Sequence, residues 1–136
     1  MNIRRIQFPT HSNETGSLSF LEANRHIPFD IRRIYYIYGV AAGARRGFHA
    51  HKELKQVLLC IHGSCRILLD DGTEQETVFL SDPAEGILLD GVIWREMFDF
   101  SPGAVLLVLA SEYYDEADYI RSYDEFRLYV KTTKGE

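Results

Sequence analysis

Residues 43–63 read GARRGFHAHKELKQVLLCIHG, and no other stretch limits the fold as much. His49 and His51 flank Ala50, so on a strand, where side chains alternate faces, both imidazoles project to the same side. Five residues separate Gly43 from His49, four separate His51 from Gln56, and six separate Gln56 from Gly63. The run 56–61 is almost continuously apolar, which suits a strand covered on both faces. A histidine strand that leads directly into a doubly covered strand belongs to a closed or layered sheet.

The rest of the chain supports this. Residues 2–8 are expected to form a first strand, 9–16 a loop, and 16–22 a half-buried strand alternating Leu18, Phe20 and Glu22 against Ser17, Ser19 and Leu21. Residues 30–38 (DIRRIYYIY) are β-branched and aromatic, with Arg33, Tyr35 and Ile37 on one face and Arg32, Ile34, Tyr36 and Tyr38 on the other. His62 and Gly63 are expected to turn into a strand at 64–70, and Asp71-Gly72 into another at 74–80, giving two consecutive hairpins. Further strands are expected around 86–89, 93–98 and 105–110. Strands recurring about every 8 to 12 residues with no helix between them point to an antiparallel sandwich or barrel. Near the C-terminus, 115–121 and 124–131 open with acids that favour a helix start, so one or two short helices are expected there. Tyr119, Tyr123, Phe126 and Tyr129 are expected to fasten this segment to the barrel, and the final KTTKGE to fray.

With 136 residues the chain is expected to be one domain, 1–136. No apolar run approaches the roughly 20 residues of a membrane helix. MNIRRIQFPTHSNETG lacks the apolar core of a secretory signal, so a cytoplasmic location is expected. Cys60 and Cys65 are too few for a disulfide framework and read as small core residues. A net charge of -5 argues against a general nucleic-acid binder, yet Arg32, Arg33, Arg45 and Arg46 could receive a small phosphorylated ligand.

A histidine pair is chemically useful without a metal, since an imidazole with a pKa of about 6.5 can remove and return a proton at neutral pH. That suits enolisation next to a ketone, which also needs a donor to stabilise the enolate oxygen. Tyr35, on another strand, could be brought opposite the histidines to serve; the plainer reading is a core tyrosine with a satisfied hydroxyl.

The spacing G-x5-HxH-x4-Q-x6-G resembles the first cupin motif with its glutamate changed to Gln56, and implies an all-β, cupin-type jelly-roll barrel. At greater length the chain resembles the dTDP-4-oxo-6-deoxyglucose 3,4-ketoisomerases, metal-independent sugar-nucleotide cupins of surface-polysaccharide biosynthesis. The resemblance is carried by GSL at 16–18, IPF at 27–29, RRIYYIY at 32–38, RRGFHAHK at 45–52, QVLLCIHGSC at 56–65, LDDG at 69–72 and VLASEYYDEADYIRSYDEF at 108–126. It implies a homodimer with exchanged N-terminal strands, a dTDP-linked 4-oxo-6-deoxyhexose substrate, no cofactor, and catalytic groups at His49, His51 and Tyr35. His49 would be the base at C3 and His51 its partner, although the sequence leaves these two roles exchangeable.

Some members carry a histidine after the tryptophan of a late strand, where this chain has Arg95 in IWREMFDF. Arg95 has no basic nitrogen to offer, and its planar fork suits a diphosphate instead. Arg33 and Arg46 are expected to share that contact, and Gln56 to bond a sugar hydroxyl or orient a histidine. The 3,5-epimerase reaction on the same substrate is the nearest alternative. A metal-dependent cupin and a non-catalytic sugar-nucleotide sensor remain as alternatives of other classes.

Overall fold

The computed structural model describes residues 1–133. Its strands are β1 (Arg4–Gln7), β2 (Thr10–Asn13), β3 (Gly16–Ser19), β4 (Arg33–Ile37), β5 (Arg46–His51), β6 (Gln56–His62), β7 (Cys65–Asp70), β8 (Gln75–Leu80), β9 (Glu85–Leu89), β10 (Trp94–Phe98), β11 (Val105–Ala110) and β12 (Tyr119–Ile120). A 3-10 turn spans Glu116–Asp118, and one α-helix, α1, spans Tyr123–Thr133. Two five-stranded antiparallel sheets, ordered β1-β9-β6-β11-β4 and β12-β5-β10-β7-β8, enclose Leu58, Ile67, Leu69, Val78, Ile87 and Leu106. This is the layered all-β architecture expected from the strand cadence.

Strand β6 is apolar from Val57 to Cys60 because both of its faces are covered there. Leu58 and Cys60 point between the sheets, while Val57 and Leu59 meet Phe8, Ile27 and Phe29 on the outside. On the other sheet, Ala50, Trp94 and Ile120 pack against Phe126 and Val130 of α1. The helix is held in register by Tyr123, whose hydroxyl donates to the buried Asp70 carboxylate at 2.6 Å.

Several expectations are corrected. The sequence 9–16 is not a loop: β2 and β3 form a hairpin, and 16–19 is exposed rather than half-buried. Its strands are joined by the backbone ladder and by hydroxyl pairs, Thr10 with Ser19 and Ser12 with Ser17, each 2.7 Å apart, so no apolar period marks them. Strand β1, expected on a second subunit's sheet, pairs with β9 of its own chain, Arg4 opposite Leu88. Strands β6 and β7 are not a hairpin: β6 pairs with β9 and β11, β7 with β8 and β10, and the chain crosses between sheets at Gly63. A Cβ there would lie 2.4 Å from Ser101 Oγ, so the crossing needs glycine. Residues 115–121 hold only the 3-10 turn before β12 joins β5. Of the terminal residues expected to fray, 131–133 are helical and 134–136 lie outside the described residues. Among the described residues no helix is long and apolar enough to cross a membrane.

Candidate active site

Strand β5 is shaped by a bulge. Arg95 lies opposite His49 and Glu96 opposite Gly47, so Phe48 is an extra residue in the ladder. Gly47 and Phe48 both take positive φ, 95° and 58°. A Cβ on Gly47 would fall 2.8 Å from Met97 Sδ and 2.9 Å from the Arg95 carbonyl oxygen, which excludes any larger residue. Beyond the bulge the pleat resumes. His49 and His51 turn inward with ring centroids 4.9 Å apart and nearly perpendicular planes, while Ala50 faces α1.

His51 is anchored through one ring nitrogen. His51 Nδ1 lies 3.0 Å from Asp118 Oδ2, and Asp118 Oδ1 accepts the Glu53 amide at 2.8 Å. The Lys52 amide donates to the Asp118 carbonyl at 3.0 Å, so the 3-10 turn is clamped onto the end of the histidine strand. A carboxylate can only accept, so His51 donates through Nδ1 and keeps its lone pair on Nε2. At His49 the Gly47 carbonyl favours the protonated ring without outweighing burial. The Nε2 atoms of both histidines are buried without a protein partner. Burial first, and the Arg95 charge second, push His49 down to about 4 and His51 to about 2. Both rings are therefore neutral bases at neutral pH.

Below them, three side chains join the two sheets. Arg95 is 2% exposed; its Nη1 donates to Gln56 Oε1, and its Nε and Nη2 donate to the Ile93 carbonyl at 3.2 and 3.1 Å. Gln56 Nε2 donates to the Tyr35 hydroxyl at 2.8 Å. Burial pushes Arg95 down to about 10, which leaves it a cation, and raises the Tyr35 phenol. Arg95, expected at a diphosphate, therefore lies off the cavity wall with its donors directed into the protein. Gln56 is turned to Tyr35 rather than to a histidine.

Two cavities meet at the histidines. One, of about 380 Å³, is lined by Tyr35, His49 and Tyr119 together with Arg33, Arg46 and Arg121. The other, of about 450 Å³, is lined by His51 and Arg33 with Glu53, Glu112, Asp115 and Asp118. The first is cationic and the second anionic, so only the first suits a phosphorylated ligand. Arg33 Nε is buried with no protein partner, a donor left for an anion. The Tyr119 ring divides the cavities, its centroid 4.3 Å from that of His51 and 5.1 Å from that of His49.

Thus His49, His51, Tyr35, Arg33 and Arg46 come together, with Gln56 and Arg95 behind them. Asp118, Tyr119 and Arg121 were not singled out by sequence reasoning, which gave Tyr119 a packing role. Their signal was the unusual string SEYYDEADYIR, whose side chains reach the site because β12 pairs with β5, Tyr119 opposite His51. Arg121 is braced by Glu116 at 2.6 and 2.9 Å and lies 4.2 Å over the Tyr119 ring.

Residues 1–131 match the family model described as FdtA, WxcM-like, C-terminal. A TDP-4-oxo-6-deoxy-α-D-glucose-3,4-oxoisomerase of Aneurinibacillus thermoaerophilus is 48% identical over 130 residues, covering 96% of this chain and 94% of that protein. The solved structure of QdtA, a sugar 3,4-ketoisomerase from Thermoanaerobacterium thermosaccharolyticum in complex with TDP, superposes with a TM-score of 0.94 at 47% identity, over 97% of this chain and 96% of that one. A substituted form of QdtA in complex with TDP-4-keto-6-deoxyglucose superposes with a TM-score of 0.95 at 46% identity, over 99% and 98%.

Proposed function

The chain belongs to the FdtA (WxcM-like, C-terminal) family, and we infer from this premise and from the site that it is a sugar-nucleotide 3,4-ketoisomerase. It moves the ketone of TDP-4-keto-6-deoxyglucose from C4 to C3. The observation that carries the reading is the pair of buried, neutral imidazoles with free Nε2 atoms beside a cavity lined by three arginines. The substrate needs just these two features, bases for a carbon acid and cations for a diphosphate.

The reaction is a proton relay in which atoms and electrons balance within the sugar. His49 removes the C3 proton, and the electron pair moves through the new C3–C4 double bond onto O4, which takes a proton to give an enediol. The O3–H proton then leaves, O3 becomes the ketone, and C4 receives a proton. Tyr35 donates toward the oxygen that carries the developing charge, and His51 exchanges protons with the other centre. Arg33, Arg46 and Arg121 hold the diphosphate, with the acidic cavity turning it away from the opposite side. No redox cofactor enters this balance. The metal-independent reading is supported by the chemistry at position 56, where a neutral amide faces Arg95 in place of a carboxylate ligand.

The second subunit is part of the same proposal. The β2–β3 hairpin is exposed throughout, and β4 is an edge of its sheet with Ile34 and Tyr36 each 59% exposed. The hairpin of one subunit crossing to the other would cover such an edge in a twofold dimer. A cytoplasmic location accords with a soluble nucleotide-sugar substrate.

Incubation with TDP-4-keto-6-deoxyglucose, followed by proton NMR, tests the function. A product with its ketone at C3 is expected, with turnover intact after exhaustive chelation. A product that keeps its ketone at C4 with C3 or C5 inverted would identify an epimerase, and no turnover would leave only a binding protein.

A further inference from the structure

The side chains below the histidines have a fixed hydrogen-bond polarity. A guanidinium has no acceptor, so the atom of Gln56 that faces Arg95 Nη1 must be its carbonyl oxygen. The amide nitrogen is then committed to Tyr35, and the phenol oxygen must accept from it at 2.8 Å. A phenol has a single proton. Among the described residues it is donated to no protein group, and Tyr35 lines the cationic cavity beside His49. We infer that Gln56, oriented by Arg95, is a positioning residue that keeps the Tyr35 hydroxyl a hydrogen-bond donor toward the substrate.

Position 56 also shows what an ordinary structural role would have favoured. A glutamate there would give the buried Arg95 a charged partner, the usual way to lower the cost of burying a cation. It would also accept from the phenol, reverse the bond, and leave the cavity facing only phenol lone pairs. The neutral amide avoids that reversal at the expense of leaving Arg95 without a counter-charge. This uncompensated cation under the cavity adds to the stabilisation of an enediolate oxygen and helps keep both histidines unprotonated.

The inference rests on the ketoisomerase reading for its consequence in turnover, but not for its geometry. The test compares the wild type with Gln56→Glu, Tyr35→Phe and the double variant, with a chelator present because a carboxylate at position 56 would stand near two histidines. For Gln56→Glu, kcat is expected to fall on the order of 100-fold, the scale of one lost oxyanion donor. Tyr35→Phe should lose a similar factor, and the double variant no more than either alone. Affinity for TDP, measured by calorimetry, should stay within about twofold, since its phosphates meet other side chains. With tyrosines labelled at Cζ, and the Tyr35 signal identified from Tyr35→Phe, Gln56→Glu should shift the Tyr35 titration to higher pH. In the wild type alone, the Gln56 amide protons should show cross-relaxation to the Tyr35 ring. Wild-type kcat in Gln56→Glu, losses that multiply in the double variant, an unmoved Tyr35 titration, or amide protons remote from that ring would each overturn the inference. Absence of turnover in the wild type counts against the ketoisomerase reading instead, and the two NMR readings still decide the polarity of the relay.

Discussion

His51 Nδ1 and Asp118 Oδ2 are 3.0 Å apart, and the second oxygen of Asp118 is held by the Glu53 amide at 2.8 Å, so the carboxylate cannot turn away from the imidazole. This fixes the tautomer in which Nε2 is the base and offers a counter-charge when that nitrogen is protonated. Asp118→Asn keeps the shape and the contact to Glu53 but presents an NH2 group to Nδ1, forcing the proton onto Nε2. By analogy with the same exchange in a serine protease triad, kcat should fall on the order of 100- to 10,000-fold. TDP affinity should hardly change. Nitrogen NMR of His51 checks the cause, with the protonated nitrogen changing from Nδ1 to Nε2; an unchanged tautomer together with wild-type kcat would refute it.

His49 should be separable from binding. His49→Asn removes the base assigned to C3 but leaves Arg33, Arg46 and Arg121 in place. A loss in kcat on the order of 100- to 10,000-fold is expected with substrate affinity little altered. Solvent deuterium should appear at the reprotonated carbon in the wild type when the transferring proton exchanges before delivery. Wild-type kcat in this variant would remove the assignment, and loss confined to His51 variants would exchange the two roles.

Much of this was legible in the residues. His49 and His51 share a face because their spacing is that of a strand, and Tyr35 faces inward because Tyr36 and Tyr38, on the alternate face, are exposed. Strand β6 announced its double burial through its composition. Other features leave no trace in a periodic pattern. The Phe48 bulge depends on what Gly47 meets across β10, and the β2–β3 hairpin lacks an apolar face. Asp118 and Tyr119 read as part of an acid-led helix, since only a two-residue pairing with β5 brings them to the histidines. Arg95 read as a diphosphate contact because its partner, Gln56, lies 39 residues away in the other sheet.

Acid should destabilise the protein through its site. His49 and His51 titrate below their ordinary 6.5, near 4 and 2, with burial the main cause and Arg95 the next. As pH falls below 6.5 the unfolded chain takes up a proton at each ring that the folded chain refuses, so stability is full above that value and declines below it. The decline approaches about 1.4 kcal/mol per pH unit for each ring and for His49 ends as the folded ring itself protonates near pH 4. The groups that set this balance are Arg33 on β4, Arg95 on β10, and Asp118, Tyr119, Arg121 and Glu116 around β12. Denaturant midpoints between pH 7 and 5 should fall for the wild type and fall less steeply for His49→Asn and His51→Asn. Equal slopes in all three would place the acid sensitivity elsewhere.

The hairpin should govern assembly rather than chemistry within one barrel. Leu18, 59% exposed on β3, has nothing to cover it in one chain. Light scattering should give twice the mass of the chain at micromolar concentration, and replacing Leu18 with Asp should shift the population toward the monomer. A monomeric wild type would end the proposal of exchanged strands while leaving β1 on its own barrel, where Arg4 already pairs with Leu88.

Gly47 tests whether the bulge exists for the sake of the site. Alanine there would place a Cβ 2.8 Å from Met97 Sδ and 2.9 Å from the Arg95 carbonyl oxygen, at a φ of 95° that L-residues rarely adopt. The sulfur can move, but the carbonyl belongs to the β10 backbone and cannot, so the ladder between Arg95 and His49 must give way. The conformational strain alone is on the order of 1–3 kcal/mol, and the clash adds to it. Thermal unfolding should therefore occur several degrees lower. A second effect follows from the direction of the strain, since His49 is the next paired residue after the bulge. Gly47→Ala should lower kcat even at temperatures where circular dichroism shows it folded, whereas Gly91→Ala, a positive-φ glycine with open space around it, should lose stability without losing kcat. Equal kcat in the two variants would mean that the bulge serves the fold alone.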